Sequence, residues 1–250
     1  MAFEINQAVA LKQENTSSYM VNLFPSPKMV GERLWELASE DNPMQPSLFS
    51  SIRATLARMG IGFSLSAIIG LSIGLLMGIS PFINRCLKSL FLGFQTLPTV
   101  AWVPISLLIF GLKDSGIYFV IIMSSSAAVA ISTADGIANI PPLFLRAART
   151  LGTPPLAMAW RVILPAALPN IVTGIKLGWT MGWHGAISAE LIKSTVGLGF
   201  LLYYGREQSD MAQVIGIIII TVIVGLLLDQ FVFGALERRI RRRWGLLPSS

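Results

Sequence analysis

Charged residues are scarce in this chain of 250 residues, where they make up 13% of the positions against 53% that are hydrophobic. About a quarter of the residues in a typical soluble domain are charged. The composition therefore excludes an ordinary water-soluble domain and indicates an integral membrane protein.

Cysteine and histidine are also nearly absent, since each occurs once, as Cys86 and His184. One cysteine cannot form an internal disulfide, and neither residue type can supply a cluster of metal ligands. Cys86 is expected to be a small buried residue in the helix packing. The sequence contains no GxxxxGK[ST] phosphate-binding loop and no acid–base pair typical of an active site. We therefore expect a protein that is not an enzyme and holds no metal and no cofactor of its own.

The positive charges are unevenly placed along the chain. The net charge is +6, and most of the excess lies in one C-terminal run, which comprises Arg238, Arg239, Arg241, Arg242 and Arg243. A basic run directly after an apolar stretch is typical of a cytoplasmic anchor at the end of a span. Nucleic-acid binding is the weaker interpretation, because no basic stripe with interleaved aromatic residues occurs elsewhere. Asp229, near the same end of the last span, is expected to pair with one of these arginines.

Five apolar segments are long enough to cross a bilayer, which takes roughly 20 residues per helix. They lie near residues 59–79, 89–111, 117–133, 169–192 and 212–233. In the first segment Gly70, Gly74 and Gly78 recur every four residues, and small residues fill positions 124–130 of the third. Small residues at this spacing favour close helix packing in lipid. The sequence therefore predicts an all-α integral membrane fold with five packed spans over residues 51–245.

Residues 1–50 contain no comparable apolar run and are predicted to form an extramembrane segment. They also lack the basic start and apolar middle of a signal peptide. From Pro27 onward Val30, Leu34 and Leu37 recur at helical spacing, with charged residues between them. This pattern predicts an amphipathic helix that lies on a membrane surface or against a partner.

The distribution of charge also predicts how the chain is oriented. If all five segments cross, the loop with Arg85 and Lys88, the loop near residues 136–166 and the arginine-rich tail lie on one side. The opposite side carries acidic as well as basic residues. Because basic loops remain in the cytoplasm, we expect the C-terminus inside and the N-terminus outside.

The stretch at about 136–166, between the third and fourth spans, contains two helical patterns that are too short to cross. Pro141 and Pro142 favour a helix start and Gly152 a helix end. Thr153 is a suitable N-cap for the second helix, which Pro165 is expected to end. The predicted apolar faces consist of Phe144, Ala147, Ala148 and Leu151 in the first helix and Leu156, Trp160, Ile163 and Leu164 in the second. Two capped helices with apolar faces indicate a docking element for another protein more than an ordinary interfacial loop.

The same stretch closely resembles the cytoplasmic EAA signature of ABC importer permeases, which reads Glu-Ala-Ala, three residues, Gly, nine residues and Ile-x-Leu-Pro. Here RAARTLG is followed after nine residues by VILP. The positions that match are Ala147, Ala148, Gly152, Leu164 and Pro165. Arg146 and Val162 replace the usual acid and isoleucine. The resemblance implies that these helices, with Arg146 and Trp160, sit in a groove of the ATPase subunit.

Other segments narrow the resemblance to the nitrate, sulfonate, taurine and bicarbonate branch of these permeases. They are LFPSP at 23–27, QTLP at 95–98, WVP at 102–104, AELI at 189–192, GLGFLL at 197–202, LD at 228–229 and LERR at 236–239. In that branch one more span usually precedes the Pro-Ser-Pro segment. No apolar run occurs there, so five spans are expected, which agrees with an N-terminus outside.

The resemblance implies a type I (MetI-like) permease of the bacterial inner membrane. Its implied partners are cytoplasmic ATPase subunits that bind ATP and magnesium, an extracytoplasmic solute-binding protein, and a second copy of the chain. Its implied solute is a small oxyanion, which is nitrate, an alkanesulfonate, taurine or bicarbonate.

The fourth span is the expected place for a solute path. Lys176, Trp183 and Glu190 share one helical face, and His184 lies at its flank. Ionisable groups within a span usually face a bundle interior or a water-filled cavity. The ring N–H groups of Trp183 and His184 suit an anion best, although packing explains each of them alone. Snorkelling to the interface is the alternative for Lys176, and a structural hydrogen bond is the alternative for Glu190. Gln95, near a proline in the second span, is a further candidate.

Two hypotheses of function remain at this point. The first is the permease of an ATP-driven importer, working as a homodimer because five spans are too few to enclose a solute route. The second is a passive channel or a membrane scaffold that holds another protein through its loop. Uptake that requires ATP hydrolysis by the partner separates the two.

Overall fold

The computed structural model describes residues 25–39, 45–192 and 196–234. In these ranges every secondary-structure element of three or more residues is a helix. The α-helices are α1 Pro27–Ser39, α2 Leu48–Ile79, α3 Pro81–Thr96, α4 Trp102–Phe110, α5 Asp114–Ala138, α6 Pro142–Thr150, α7 Pro155–Met158, α8 Leu164–Ile192, α9 Leu198–Glu207 and α10 Met211–Leu228. A 3₁₀ turn, Thr99–Ala101, precedes α4. Two π-helical segments, Ala159–Ile163 and Asp229–Gly234, precede α8 and follow α10.

Within the described part of the chain, four helical stretches are long and apolar enough to cross a membrane. They are Leu48–Ile79, Asp114–Ala138, Ala159–Ile192 and Met211–Phe231. The predicted span at 89–111 is a broken one, because a bend of 96° separates Pro81–Thr96 from Thr99–Phe110. The described residues therefore contain up to five crossings, if this bent pair counts as one. Pro98 explains the break: it lacks an N–H group and disfavours the helical conformation at Leu97, which is extended.

The chain divides into two compact units. The first contains residues 1–55 and 190–223, and the second contains residues 56–189 and 224–250. Three helices, α2, α8 and α10, contribute residues to both units.

Within the second unit, α5 is the central helix and its residues 124–130 are all buried. Glycines of α2 and α8 lie directly against it. A Cβ atom added to Gly74 would lie 2.6 Å from the carbonyl oxygen of Ala130, and one added to Gly178 would lie 2.6 Å from Val129 Cγ2. The prediction that small residues bring these helices close together is therefore confirmed.

Apolar clusters hold further helices to α5. Met77 of α2 and Phe91 of α3 pack with Ala127, Ala130 and Ala134 of α5. Cys86, predicted to be buried, is instead exposed on α3. The buried side of α3 carries larger apolar residues, so a small thiol is not needed to fill it.

In the first unit, the predicted amphipathic helix is α1, and its apolar side packs against the protein's own chain. Val30 and Leu37 are buried. A Cβ atom added to Gly216 of α10 would lie 2.9 Å from the side chain of Leu34. The predicted helix is thus confirmed, whereas the apolar face that was expected to meet a membrane or partner is covered by α10.

A polar cluster also fastens α1. Arg33 Nε donates to Asp210 Oδ2 at 2.7 Å, and its Nη2 donates to Gln213 Oε1 at 3.1 Å. Burial alone would lower the pKa of Arg33, but its contacts with Glu36 and Asp210 outweigh this effect and raise the pKa above its ordinary value. The guanidinium of Arg33 therefore stays charged at every physiological pH.

Candidate functional site

The loop with the EAA-like pattern begins with α6, which ends as predicted at Gly152. This glycine has a φ of +70°, a left-handed conformation that side chains disfavour. Its N–H donates to the carbonyl of Arg149 at 2.9 Å, and the N–H of Thr153 donates to the carbonyl of Ala148 at 3.1 Å. These two bonds form a Schellman motif, which satisfies carbonyls at the helix end.

The second half of the loop differs from the prediction. No separate second helix ends at Pro165, because α7 continues through the π segment Ala159–Ile163 directly into α8. Pro165 is the second residue of α8, and proline is tolerated in the first turn of a helix. The regular hydrogen-bond pattern is already interrupted by the π segment, so Pro165 terminates nothing there.

One side of α6 packs on the membrane-spanning part of the second unit. Leu145 joins the apolar cluster of Ile137, Ile140 and Ala167, and Ala148 is buried with 6% of its surface exposed. Ala148 was predicted on the docking face, but it faces the protein interior. Any movement of α6 therefore acts on the ends of α5 and α8 through these contacts.

The other side of α6 forms an exposed apolar surface. Leu143 is 73% exposed, Phe144 54% and Leu151 83%, and Trp160 in the π segment is 65% exposed. Ala147, Arg146, Arg149, Gly152 and Arg161 are exposed beside them, whereas Leu164 and Pro165 are half-buried. We use the name loop surface for the exposed residues, which are 143, 144, 146, 147, 149, 151, 152, 160 and 161. Its combination of large apolar side chains and arginines can dock in a groove that offers both apolar contacts and acids.

The face of α8 that was predicted to line a solute path is largely covered by the end of the last span. Trp183 is buried, and a Cβ atom added to Gly225 would lie 3.1 Å from its Nε1. Lys176 Nζ lies 3.3 Å from Asp229 Oδ2. Asp229 thus pairs with Lys176, because the two residues lie at the same level of adjacent helices. The predicted pairing of Asp229 with a tail arginine involves residues that the structure does not describe. The arginine-rich tail itself lies outside the described residues.

Glu190 occupies a fully buried position in the first unit. Its Oε2 accepts hydrogen bonds from Thr55 Oγ1 at 2.8 Å and from the N–H of Gly199 at 3.1 Å. The N–H of Leu198 donates in turn to Thr55 Oγ1 at 2.9 Å. A carboxylate at the N-terminus of α9 is favoured by the free N–H groups there. This geometry matches the structural alternative for Glu190, and the sequence contained no signal that Thr55 would be its partner.

A stripe of polar residues runs along a different face of α8. This polar stripe consists of Asn170, Thr173, Thr180, His184 and Ser188. Asn170, Thr173 and His184 are exposed, and the other two are half-buried. Polar side chains within a span are costly in lipid and usually face protein or a water-filled cavity. His184 lies on this exposed stripe, whereas its neighbour Trp183 is buried on another face of α8.

Sequence reasoning found His184 but missed the rest of the polar stripe. The signal was present, because these polar residues recur at intervals of three, seven, four and four along the chain. Gln95 is half-buried in the last turn of α3, next to the break at Leu97 and Pro98. Within the described residues no hydrogen bond joins Gln95 to the stripe.

Residues 66–242 match the family described as "Binding-protein-dependent transport system inner membrane component". The chain is 36% identical over 190 residues to the bicarbonate transport system permease protein CmpB of Synechococcus elongatus, covering 76% of this chain and 68% of that protein. It is 31% identical over 216 residues to the taurine transport system permease protein TauC of Escherichia coli, covering 86% and 78%. It is 33% identical over 210 residues to the nitrate import permease protein NrtB of Leptolyngbya laminosa, covering 82% and 75%.

Solved structures share the fold. An inward-facing structure of the MetNI methionine ABC transporter superposes with a TM-score of 0.68 at 21% identity, covering 80% of this chain and 99% of that one. A crystal structure of an amino acid ABC transporter with histidines gives a TM-score of 0.62 at 23% identity, covering 76% and 92%. The expected type I, MetI-like helical fold is therefore confirmed.

Proposed function

Because the chain belongs to the binding-protein-dependent transport system inner membrane components, we propose that it carries a small oxyanion along the polar stripe of α8 in a dimer of two copies. The family itself establishes the coarser function: the chain is the non-catalytic, multi-pass permease subunit of an ABC importer in the inner membrane. ATP is bound by a partner ATPase, and a binding protein delivers the solute.

The polar stripe is the observation that carries this proposal. Its members offer hydroxyl, amide and imidazole groups, which can donate hydrogen bonds to an oxyanion without a fixed positive charge. Such donors suit a transit site, since weak contacts allow release as well as binding. The stripe is exposed in a single chain, so a second copy that faces it would enclose a route between the two. The relatives named for bicarbonate, taurine and nitrate support the class of solute.

The loop surface is the proposed contact with the ATPase. Its exposed apolar side chains and arginines lie on an element that is packed by Leu145 on the ends of two spans. A movement of the ATPase would be transmitted to α5 and α8 through this packing. The transmitted movement would switch the permease between inward-open and outward-open arrangements.

Uptake into vesicles tests the proposal directly. We expect the chain, reconstituted with its ATPase and binding protein, to accumulate at least one of labelled nitrate, bicarbonate and taurine when ATP is supplied. A non-hydrolysable ATP analogue should stop accumulation. Equal entry with and without hydrolysis would favour a passive channel, and transport of none of the three would contradict the assignment to oxyanions.

His184→Ala tests the route itself. The variant removes one neutral hydrogen-bond donor, worth about 1 kcal/mol, so we expect roughly a fivefold loss in kcat/KM for uptake, or a changed preference among oxyanions. Leu177→Ala is the control, because Leu177 is exposed on the same side of α8 and has no hydrogen-bonding group. Membrane level and ATPase binding should stay unchanged in both variants. Unchanged uptake of all three oxyanions by His184→Ala would remove His184 from the route.

A further inference from the structure

The loop surface carries positive charge and no acid of its own. No aspartate or glutamate occurs between Asp135 and Glu190, a stretch that includes Arg146, Arg149 and Arg161. All three arginines are exposed, and none of them forms an ion pair with a described residue. The described part of the chain therefore leaves their charges unneutralised, so counter-ions must come from elsewhere.

Arg146 is the most informative of the three arginines, because its position within the helix gives no reason for a charge. Arg149 lies in the last turn of α6, where a cation is favoured by the carbonyl end of the helix. Arg146 lies in the middle of the same helix. Since three positions separate them, the two side chains are neighbours on the helix surface and their like charges repel each other. An anion bound beside both arginines would remove this repulsion.

The packing of α6 fixes where Arg146 is presented. On the opposite side of the helix, Leu145 packs with the ends of α5 and α8, and Ala148 is buried. Leu143, three positions before Arg146, and Leu151, at the helix end, are exposed apolar side chains. A layer of lipid headgroups is fluid and needs no such fixed geometry, whereas a protein groove combines apolar contacts and charges in one register. The arrangement therefore favours a protein partner.

Building on the proposed function, we propose that the groove of the ATPase that receives α6 is acidic and presents a carboxylate to Arg146. A guanidinium and a carboxylate form two parallel hydrogen bonds, which add orientation as well as affinity. The charge at position 146 is opposite to that of the acid in the EAA signature, so a groove suited to that acid would repel this loop. Arg146 is therefore a specificity-determining residue for the choice of ATPase.

Cross-linking without a spacer tests the contact directly. A carbodiimide activates a carboxylate so that a touching lysine amine forms an amide bond with it, and it leaves the guanidinium of arginine unreacted. Arg146→Lys keeps the positive charge and supplies the amine. We expect this variant, assembled with its ATPase, to give a covalent product in which residue 146 is joined to an aspartate or glutamate of the ATPase.

Arg85→Lys is the matched control for the cross-link. Arg85 is exposed on α3, outside the loop surface, so this variant should give no product beyond that of the wild type. A normally assembled complex of Arg146→Lys that lacks the product would overturn the proposal. A bond from residue 146 to a carboxylate of the permease itself would overturn it as well.

Charge substitutions at the same position test whether the contact contributes to affinity. The dissociation constant (Kd) of labelled ATPase is measured with the full-length permease in nanodiscs of phosphatidylcholine, without solute. We expect Kd to rise about tenfold in Arg146→Gln and about a hundredfold in Arg146→Glu, where two like charges meet. Arg85→Glu should bind like the wild type. Added salt should weaken binding of the wild type more than binding of Arg146→Gln.

The affinities separate the acidic groove from the docking itself. If Arg146 contacts lipid headgroups instead, Arg146→Glu keeps the wild-type Kd for the ATPase, which would overturn the acidic groove and leave the docking intact. An ATPase that does not bind the wild-type permease would overturn the proposed docking together with the acidic groove. Because no solute is present, neither result depends on which solute is carried.

Discussion

Gly152→Val is expected to reduce ATP-driven uptake at least tenfold while the protein still inserts in the membrane. The expected loss comes from the backbone conformation of Gly152 and not from a steric clash with neighbouring residues. Gly152 has a φ of +70°, and a Cβ atom added there would meet nothing within 4 Å. A β-branched residue is strained in this conformation by roughly 1–3 kcal/mol. The helix end would therefore rearrange, and Leu151 and Arg149 on the loop surface would lose their positions.

The chain offers a matched control for this variant. Gly111, after α4, has a φ of +60° and likewise has nothing within 4 Å of an added Cβ atom. The ψ of Gly111 is −148°, which together with its positive φ is close to a region that essentially only glycine adopts, so Gly111→Val should be strained as well. This variant should still transport, because Gly111 lies outside the loop surface. Solute-stimulated ATP hydrolysis and uptake are measured in the same vesicles for both variants. Normal stimulation and uptake in Gly152→Val would contradict the proposed docking of the ATPase at this loop.

Gly74→Leu is expected to lower the amount of folded protein in the membrane severely. An added Cβ atom would lie 2.6 Å both from the carbonyl oxygen of Ala130 and from Thr133 Cβ. The first of these is a backbone atom in the central helix α5, so it cannot turn aside as a flexible side chain can. Overpacking of this kind typically costs about 1–3 kcal/mol, and a leucine adds three further carbon atoms to the clash.

Gly60→Leu is the control on the same helix. Gly60 is exposed, and an added Cβ atom there has nothing within 4 Å. The measurements are membrane level and the temperature at which each purified variant loses its monodisperse state in detergent. We expect Gly60→Leu to match the wild type and Gly74→Leu to fall well below it. Equal melting of the two variants would show that α2 and α5 are not packed as closely as the structure indicates.

Features that depend on local geometry were predictable from the sequence. The spacing of Gly70, Gly74 and Gly78 indicated a close helix contact, and these glycines do lie on α5. Gly152 ends α6 because a left-handed residue suits the end of a helix, whatever surrounds it. The five apolar segments were found by length and hydropathy, which is the physical requirement for crossing a bilayer.

Features that depend on which helices become neighbours were not predictable. Lys176 and Asp229 were both noticed as charges near one end of the membrane, but the sequence does not indicate that α8 and the end of α10 are adjacent. The break at Pro98 was missed because hydropathy is averaged over a window and ignores backbone conformation. Pro165 was given a terminating role that it does not have, because a π segment before it changes the hydrogen-bond pattern.

The carboxylate of Glu190 also constrains the order in which the chain is built. Its partner Thr55 precedes it by 135 residues, and its partner Gly199 follows it by nine. Because Gly199 follows Glu190 by nine residues, this acid leaves the ribosome shortly before α9 and cannot receive the N–H group of Gly199 until α9 has followed it out. An unsatisfied carboxylate resists transfer into hydrocarbon. We therefore expect the end of α8 to reach its final position together with α9 and not before it.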